Sequence, residues 1–291
     1  MKTKFFVILL LTFYMNNKGQ SIREHQLNEM VKTEYAFAKS ASEVGSRDAF
    51  LQFIADEGII FRPLPVNGKK FLSEQESRPG LLAWYPEYAY MSESGDMGFT
   101  TGPADFRRDK DSSAIWFGNF CTVWNLQKDG TWKFLIDIGN STAKPITDKI
   151  SIPIKNYSTL INTVQLKKSF GEKKLIIELD QTFNQLIKED YPINVYSNFV
   201  NQETRLLYDD VFPVVGETQI KNFLSELKNS FQFFVIDGNI STANDFGYVY
   251  GSLEEKTFEN DKVKKFNYLR IWKKIKDNWI IACEVVNKLP N

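Results

Sequence analysis

Residues 94–102 read Ser-Gly-Asp-Met-Gly-Phe-Thr-Thr-Gly, and Asp96-Met97-Gly98 followed by Gly102 recurs as Asp245-Phe246-Gly247 followed by Gly251, an offset of 149. Downstream, Trp124 and Trp132 return as Trp272 and Trp279, at offsets of 148 and 147. Upstream, Phe37 and Phe53 return as Phe183 and Phe199, both at 146, and Gly68 returns as Gly216 at 148. Small loop insertions produce such a drift. Matches kept in one order over roughly 100 residues identify the duplication of one structural unit.

Each copy reads the same way. Apolar Leu27, Met30, Val31, Phe37, Ala38, Ala41 and Val44 follow helical spacing, and Gly45-Ser46 stops that helix and starts a short one through Ile54. Strand character begins at 59–61, a short helical piece is expected at 73–77, and strands follow at 87–92, 97–102, 114–125 and 131–138. Ser94-Gly95-Asp96 and Lys128-Asp129-Gly130 supply the hairpin turns. In the second copy a long helix carries Leu175, Ile176, Leu179, Phe183, Leu186 and Ile187. A short helix starts near Pro192, and another holds Ile220, Phe223, Leu224 and Leu227. Strands are expected near 205–208, 231–241, 246–252, 263–274 and 279–287. Helices first and a meander of strands afterwards define an α+β class: two tandem units, each with one curved antiparallel sheet wrapped around a long helix.

The ends of the chain behave differently. Lys2 and Lys4 precede an apolar run at 5–13 and a polar stretch at 16–21. A run that short suits a secretory signal better than a bilayer span. The expected organisation is therefore a signal peptide at 1–20, a first domain at 22–145, a linker at 146–167 with a short strand at 150–154, and a second domain at 168–291. The mature chain is expected in the periplasm or the medium, and no cysteine follows the apolar run to take a lipid. The 36 basic and 36 acidic residues cancel, so no overall field draws the chain to nucleic acid or to an anionic membrane. Cys121 and Cys283 fall in different copies at non-equivalent positions and read as two buried thiols, a cross-domain tie being the one disulfide open to them.

Trp84-x-Pro86, Ser94-Gly95-Asp96-x-Gly98-x-Thr100-x-Gly102, Val123-Trp124, Asp129-Gly130-x-Trp132 and Asp137 together resemble the signature of small bacterial SnoaL-like domains. These belong to the nuclear transport factor 2-like superfamily, with the ketosteroid isomerase-like proteins. The resemblance covers 24–140 and, more weakly, 172–288, where Trp-x-Pro and the glycine of the last hairpin are missing. It implies a cone-shaped α+β barrel around an apolar cavity, often dimeric, with the two copies here packing as a pseudo-dimer. It leaves function open, because the architecture hosts isomerases, dehydratases, hydrolases, cyclases and plain binding or assembly modules.

The single histidine, His25, lies at the start of the first helix, so catalysis by a cavity histidine has no candidate. No His and Cys cluster has metal-ligand spacing and no Gly-rich loop precedes a helix, so neither a metal nor a cofactor is expected. One polar feature recurs. With Trp124 opposite Trp132, strand alternation sets Asn119 opposite Asp137; with Trp272 opposite Trp279, it sets Asn267 opposite Glu284. An amide facing a carboxylate suits an oriented general base or a ligand acceptor. The same parity puts Asp137 on the face of Lys133 and opposite Phe120, Trp124, Trp132, Phe134 and Ile136, which equally describes a polar pair on the outer surface.

Tyr35, Trp84, Tyr85 and Trp116 are candidates to line a cavity, beside their ordinary role as core aromatics. Arg62, Arg107 and Arg108 are loop candidates for its rim. With no second acid in view beside the first, the leading expectation is binding of a small apolar or amphipathic molecule in one or both cones. The alternatives are a ketosteroid isomerase-type acid/base isomerase or lyase with Asp137 or Glu284 as base, and a non-catalytic assembly module.

Overall fold

The computed structural model describes residues 2–145, 172–227, 229–257 and 262–290, with side chains from residue 22 onward. Of the expected export segment at 1–20, the backbone from Lys2 continues the first helix; the expected strand at 150–154 lies outside the described residues. Among the described residues no helix is long and apolar enough to cross a membrane.

In the first half α1 (Lys2–Val44) ends where Gly45 takes φ 93°, a conformation that costs glycine nothing because it has no Cβ. The chain turns there into α2 (Ser46–Phe53) and runs directly into β1 (Ile54–Phe61) and β2 (Pro65–Asn67). The short helix expected at 73–77 lies earlier, as α3 (Gly68–Ser73), because the Asn67 side chain caps it by accepting from the Lys70 amide at 2.8 Å. The strands β3 (Leu81–Trp84), β4 (Tyr88–Met91), β5 (Met97–Arg107), β6 (Trp116–Leu126) and β7 (Trp132–Thr142) complete the half. The sheet runs β2-β1-β7-β6-β5-β3, with β4 also on β5, and β1 is parallel to β7.

The second half repeats the plan with α4 (Lys173–Glu189), α5 (Pro192–Tyr196), β8 (Arg205–Tyr208), β9 (Val214–Val215), α6 (Glu217–Ser225), β10 (Asn229–Ile240), β11 (Phe246–Thr257), β12 (Val263–Ile275) and β13 (Asn278–Lys288). Its sheet runs β10-β11-β12-β13-β8-β9, and β8 is parallel to β13. Each half is thus a long helix held against one sheet, the α+β unit expected from the sequence.

Three apolar cores result. The inner face of the first sheet meets α1 and α2 through Met30, Phe37, Phe50, Trp124 and Phe134, with the Phe37 and Phe134 rings stacked at 5.5 Å. The second sheet meets α4 in the same way through Ile176, Phe183, Leu206 and Trp272. The third core lies between the halves, where the outer faces of the sheets pack through Tyr90, Phe99, Cys121, Val123, Phe246, Tyr248, Ile271 and Cys283. Phe246 stacks on Phe99 at 6.1 Å and on Tyr90 at 5.8 Å.

Reciprocal turns seal one end of this seam. Asp245 accepts from the Glu93 amide at 2.8 Å, and its counterpart Asp96 accepts from the Thr242 amide at 3.1 Å and from the Thr242 hydroxyl. Each half therefore has its own core, and the seam adds a large apolar face that either half alone would leave in water. Residues 22–145 and 168–291, expressed separately, are expected to fold and to self-associate through this face. Sedimentation across a concentration series checks it; halves that stay monomeric at high concentration would show the seam to be dispensable.

Candidate functional site

The last hairpin of each half decides where its carboxylate points. Leu126, not Trp124, lies opposite Trp132, and Trp124 pairs with Phe134. The next pair is Val123 with Ile136, so Leu135 is an extra residue on β7, a β-bulge. Side chains alternate along a strand, and one inserted residue reverses the faces of everything after it. Trp132 and Phe134 point into the first cone, and beyond the bulge so does Asp137, while Ile136 and Ile138 join the seam. In the second half Trp272 pairs with Ile281 and Ile271 with Cys283, leaving Ala282 as the extra residue and turning Glu284 inward.

The expected amide–carboxylate pairs are corrected accordingly. Asp137 lies opposite Thr122 and Glu284 opposite Arg270, whereas Asn119 lies opposite Asn140 and Asn267 opposite Asn287. The asparagines serve the seam. The Asn140 amide donates to the Tyr208 carbonyl at 2.8 Å, Asn287 to the Gly139 carbonyl at 2.7 Å, and Asn267 to the Pro63 carbonyl at 2.7 Å. Asn119 supports Asn140 at 3.2 Å. Their recurrence in both copies reflects docking of the copies on each other.

Inside the first cone Asp137 has a partner that the sequence reading missed. Glu34, on the inner face of α1, is fully buried and accepts from Trp84 Nε1 at 2.6 Å, Thr100 Oγ1 at 2.5 Å and Trp124 Nε1 at 2.9 Å. Burial pushes its carboxyl up to about 7; the three donors oppose the shift, and the nearby Asp137 charge adds to it. Asp137 is half-buried, accepts from Thr122 Oγ1 at 2.7 Å, and is raised by burial to about 6 against the pull of Thr122 and of the Arg62 charge. The first cone therefore holds two raised carboxylates, Glu34 fully buried and Asp137 half-buried, with no cation bonded to either among the described contacts.

The second cone places Asp180 where the first has Glu34, at the offset of 146 that also relates Phe183 to Phe37. Here Arg270 occupies the position of Thr122 and joins the two acids. Its Nε donates to Glu284 at 2.5 Å and its Nη1 to Asp180 at 2.8 Å, and all three side chains are fully buried. Trp272 Nε1, Tyr268 and Asn184 donate to Asp180 at 2.9, 2.9 and 3.0 Å, and Tyr196 and Tyr208 donate to Glu284 at 2.7 and 2.6 Å. Phe183 and Phe233 flank the guanidinium at 4.3 and 4.5 Å. Glu284 is thus a buried acceptor within this network, and Asn267 is a seam contact.

Of the aromatic candidates, Trp84 lines the first cone as a donor to Glu34, while Trp116 bonds Ser141 Oγ at 3.0 Å at the far end of β6. Tyr35, on α1, is 45% exposed. Arg62 is exposed on the loop after β1, Arg107 pairs with Asp105 at 2.7 Å, and Arg108 is exposed. His25 lies in a surface depression of about 460 Å³ between α1 and the β6–β7 turn, and a second depression of about 590 Å³ lies over α4; both are outside the cones.

No family model matches the sequence, and no curated protein matches it. Among solved structures the chain is similar to a ketosteroid isomerase-like protein from Erwinia carotovora atroseptica, at 14% identity over 42% of this chain and 100% of that one, with a TM-score of 0.36. It is similar to a nuclear transport factor 2-like protein from Cytophaga hutchinsonii at 16% identity, over 41% and 100%, with a TM-score of 0.34. A nuclear transport factor 2-like protein of unknown function from Shewanella oneidensis is similar at 14% identity, over 39% and 96%, with a TM-score of 0.32. By their own geometry, a long helix laid on a seven- and a six-stranded sheet, both halves have the nuclear transport factor 2-like fold.

Proposed function

We propose that the chain is an exported two-cone binding protein. The first cone takes a small apolar or amphipathic molecule that offers a hydrogen-bond donor to Asp137, and the second cone is its structural partner. One observation carries this reading: Arg270 locks the acids of the second cone together, and the residue in its place in the first cone is Thr122, which leaves Asp137 half-buried. A pocket with an apolar lining and one reachable acceptor selects ligands by their donor. Glu34 acts behind Asp137, fixed by two indoles and a hydroxyl, and sets the charge that the ligand meets.

The raised carboxyls also favour a second reading, proton transfer on the bound molecule, because acids near 6 and 7 exchange protons readily at neutral pH. Solvent deuterium entering a bound ketone beside its carbonyl separates transfer from binding alone.

Thr122→Arg tests the shared premise by giving the first cone the closure of the second. With 2-naphthol as a fluorescent probe, Thr122→Arg is expected to abolish binding while the protein remains folded. Asp137→Asn is expected to weaken binding by about 1–3 kcal/mol, the cost of leaving a buried polar partner poorly matched. Unchanged probe affinity in both variants would place the ligand elsewhere.

A further inference from the structure

Cys121 and Cys283 are the only cysteines among 291 residues, and the duplication does not relate them: Leu269 stands at the place of Cys121 in the second copy, and Ile136 at the place of Cys283 in the first. Two unrelated positions, 162 residues apart in the chain, nevertheless meet. Both side chains are fully buried, both belong to the core between the sheets, and Cys283 is among the neighbours that push the Cys121 thiol up. Cys121 reaches the seam from the middle of β6, and Cys283 from the strand position that the bulge at Ala282 turns outward. Without that bulge the parity of β13 would carry Cys283 into the second cone.

We propose that Cys121 and Cys283 form a disulfide that ties the two halves covalently when the chain folds under oxidising conditions; the structure holds their reduced form, with both thiols free. The Sγ atoms bond to each other, each thiol gives up its proton, and the electron pair reduces an external disulfide such as glutathione disulfide to two thiols, which take the two protons. Exchange needs a thiolate and access for the oxidant. The closed seam denies both, since it buries the pair and burial pushes the Cys121 thiol up. The bond therefore forms while the halves dock, before the seam closes, and afterwards it is shielded from reductants. Closing so long a loop restricts the unfolded chain strongly, and the chain-entropy view gives long loops the larger stabilisation.

Full-length chain refolded from denaturant with a glutathione redox couple, then denatured and treated with N-ethylmaleimide, tests this. The expected product is about 2 Da lighter than the reduced chain and takes no maleimide. Proteolytic mapping should join the peptides that hold Cys121 and Cys283 within one molecule. Its melting temperature should exceed that of chain refolded under reductant by several degrees, a difference that Cys283→Ala removes. Two maleimide adducts on the oxidatively refolded chain, glutathione left on either cysteine, or linkage only between molecules would each overturn the proposal. The mass measurement uses the unaltered chain, so the result does not depend on whether a variant folds.

Discussion

Replacing Arg270 by Met is expected to destabilise the protein by roughly 3–5 kcal/mol, because it strands two carboxylates in a dry core. Asp180 and Glu284 are both fully buried, and Arg270 is the only cation bonded to either among the described contacts. Methionine fits the volume left between Phe183 and Phe233, so lost packing is a small part of the effect. The informative comparison adds Asp180→Asn and Glu284→Gln to the same chain. Both amides keep an oxygen for the tyrosine and tryptophan donors, and the stranded charge is gone, so most of the lost stability should return. Urea unfolding of the three proteins checks this. A single variant as stable as the parent would mean that the second cone admits water and that the network is not sealed.

The two copies of one unit differ in chemistry at a single strand position. Both retain an acid on the helix and an acid beyond the bulge, and they diverge at the strand position between them, Thr122 in one and Arg270 in the other. In the second cone the guanidinium bridges the two acids in a fully buried ionic core. In the first cone no cation bridges the acids among the described contacts, burial raises both, and Asp137 stays half-buried.

Much of the fold was legible in the residues. The repeat, the helix stop at Gly45, the strand at 205–208 and the meander after each helix all follow from periodicity and glycine placement, which are local signals. The bulges were not legible. Leu135 and Ala282 are apolar residues in apolar runs, and nothing local marks either as the inserted one; only pairing with the neighbouring strand shows it. That one inserted residue moved Asp137 from an outer face to the cone interior and turned the amide–acid pairs into two separate devices. Glu34 and Asp180 could have been found, since they share the offset of 146 with Phe37 and Phe183, but an acid on an amphipathic helix reads as a solvated face until the sheet covers it. Arg270 has no such signal, because its first-copy counterpart is a threonine.

Stability is expected to fall as pH rises from about 4.5 to about 7, and Glu34→Gln should remove most of that slope. Glu34 is raised from its ordinary 4.5 to about 7 by burial, so between those values the folded chain binds a proton that the unfolded chain has released. Stability linked to this group is therefore fully present below about 4.5 and lost as pH passes through about 7; at 1.36 kcal/mol per pH unit the loss is on the order of 3 kcal/mol. Asp137 acts in the same direction between 3.8 and about 6, but its charge is part of what raises Glu34, so their contributions do not add in full. Glutamine suits the site: its oxygen accepts from Trp84, its amide donates to the Thr100 hydroxyl, and Trp124 Nε1 keeps its 3.1 Å bond to that hydroxyl. At pH 8 the variant should be the more stable protein, and at pH 4.5 the two should be nearly equal. Denaturant titrations at both pH values decide the matter, and parallel curves for parent and variant would mean that Glu34 is already hydrated and that the first cone is open to water down to α1.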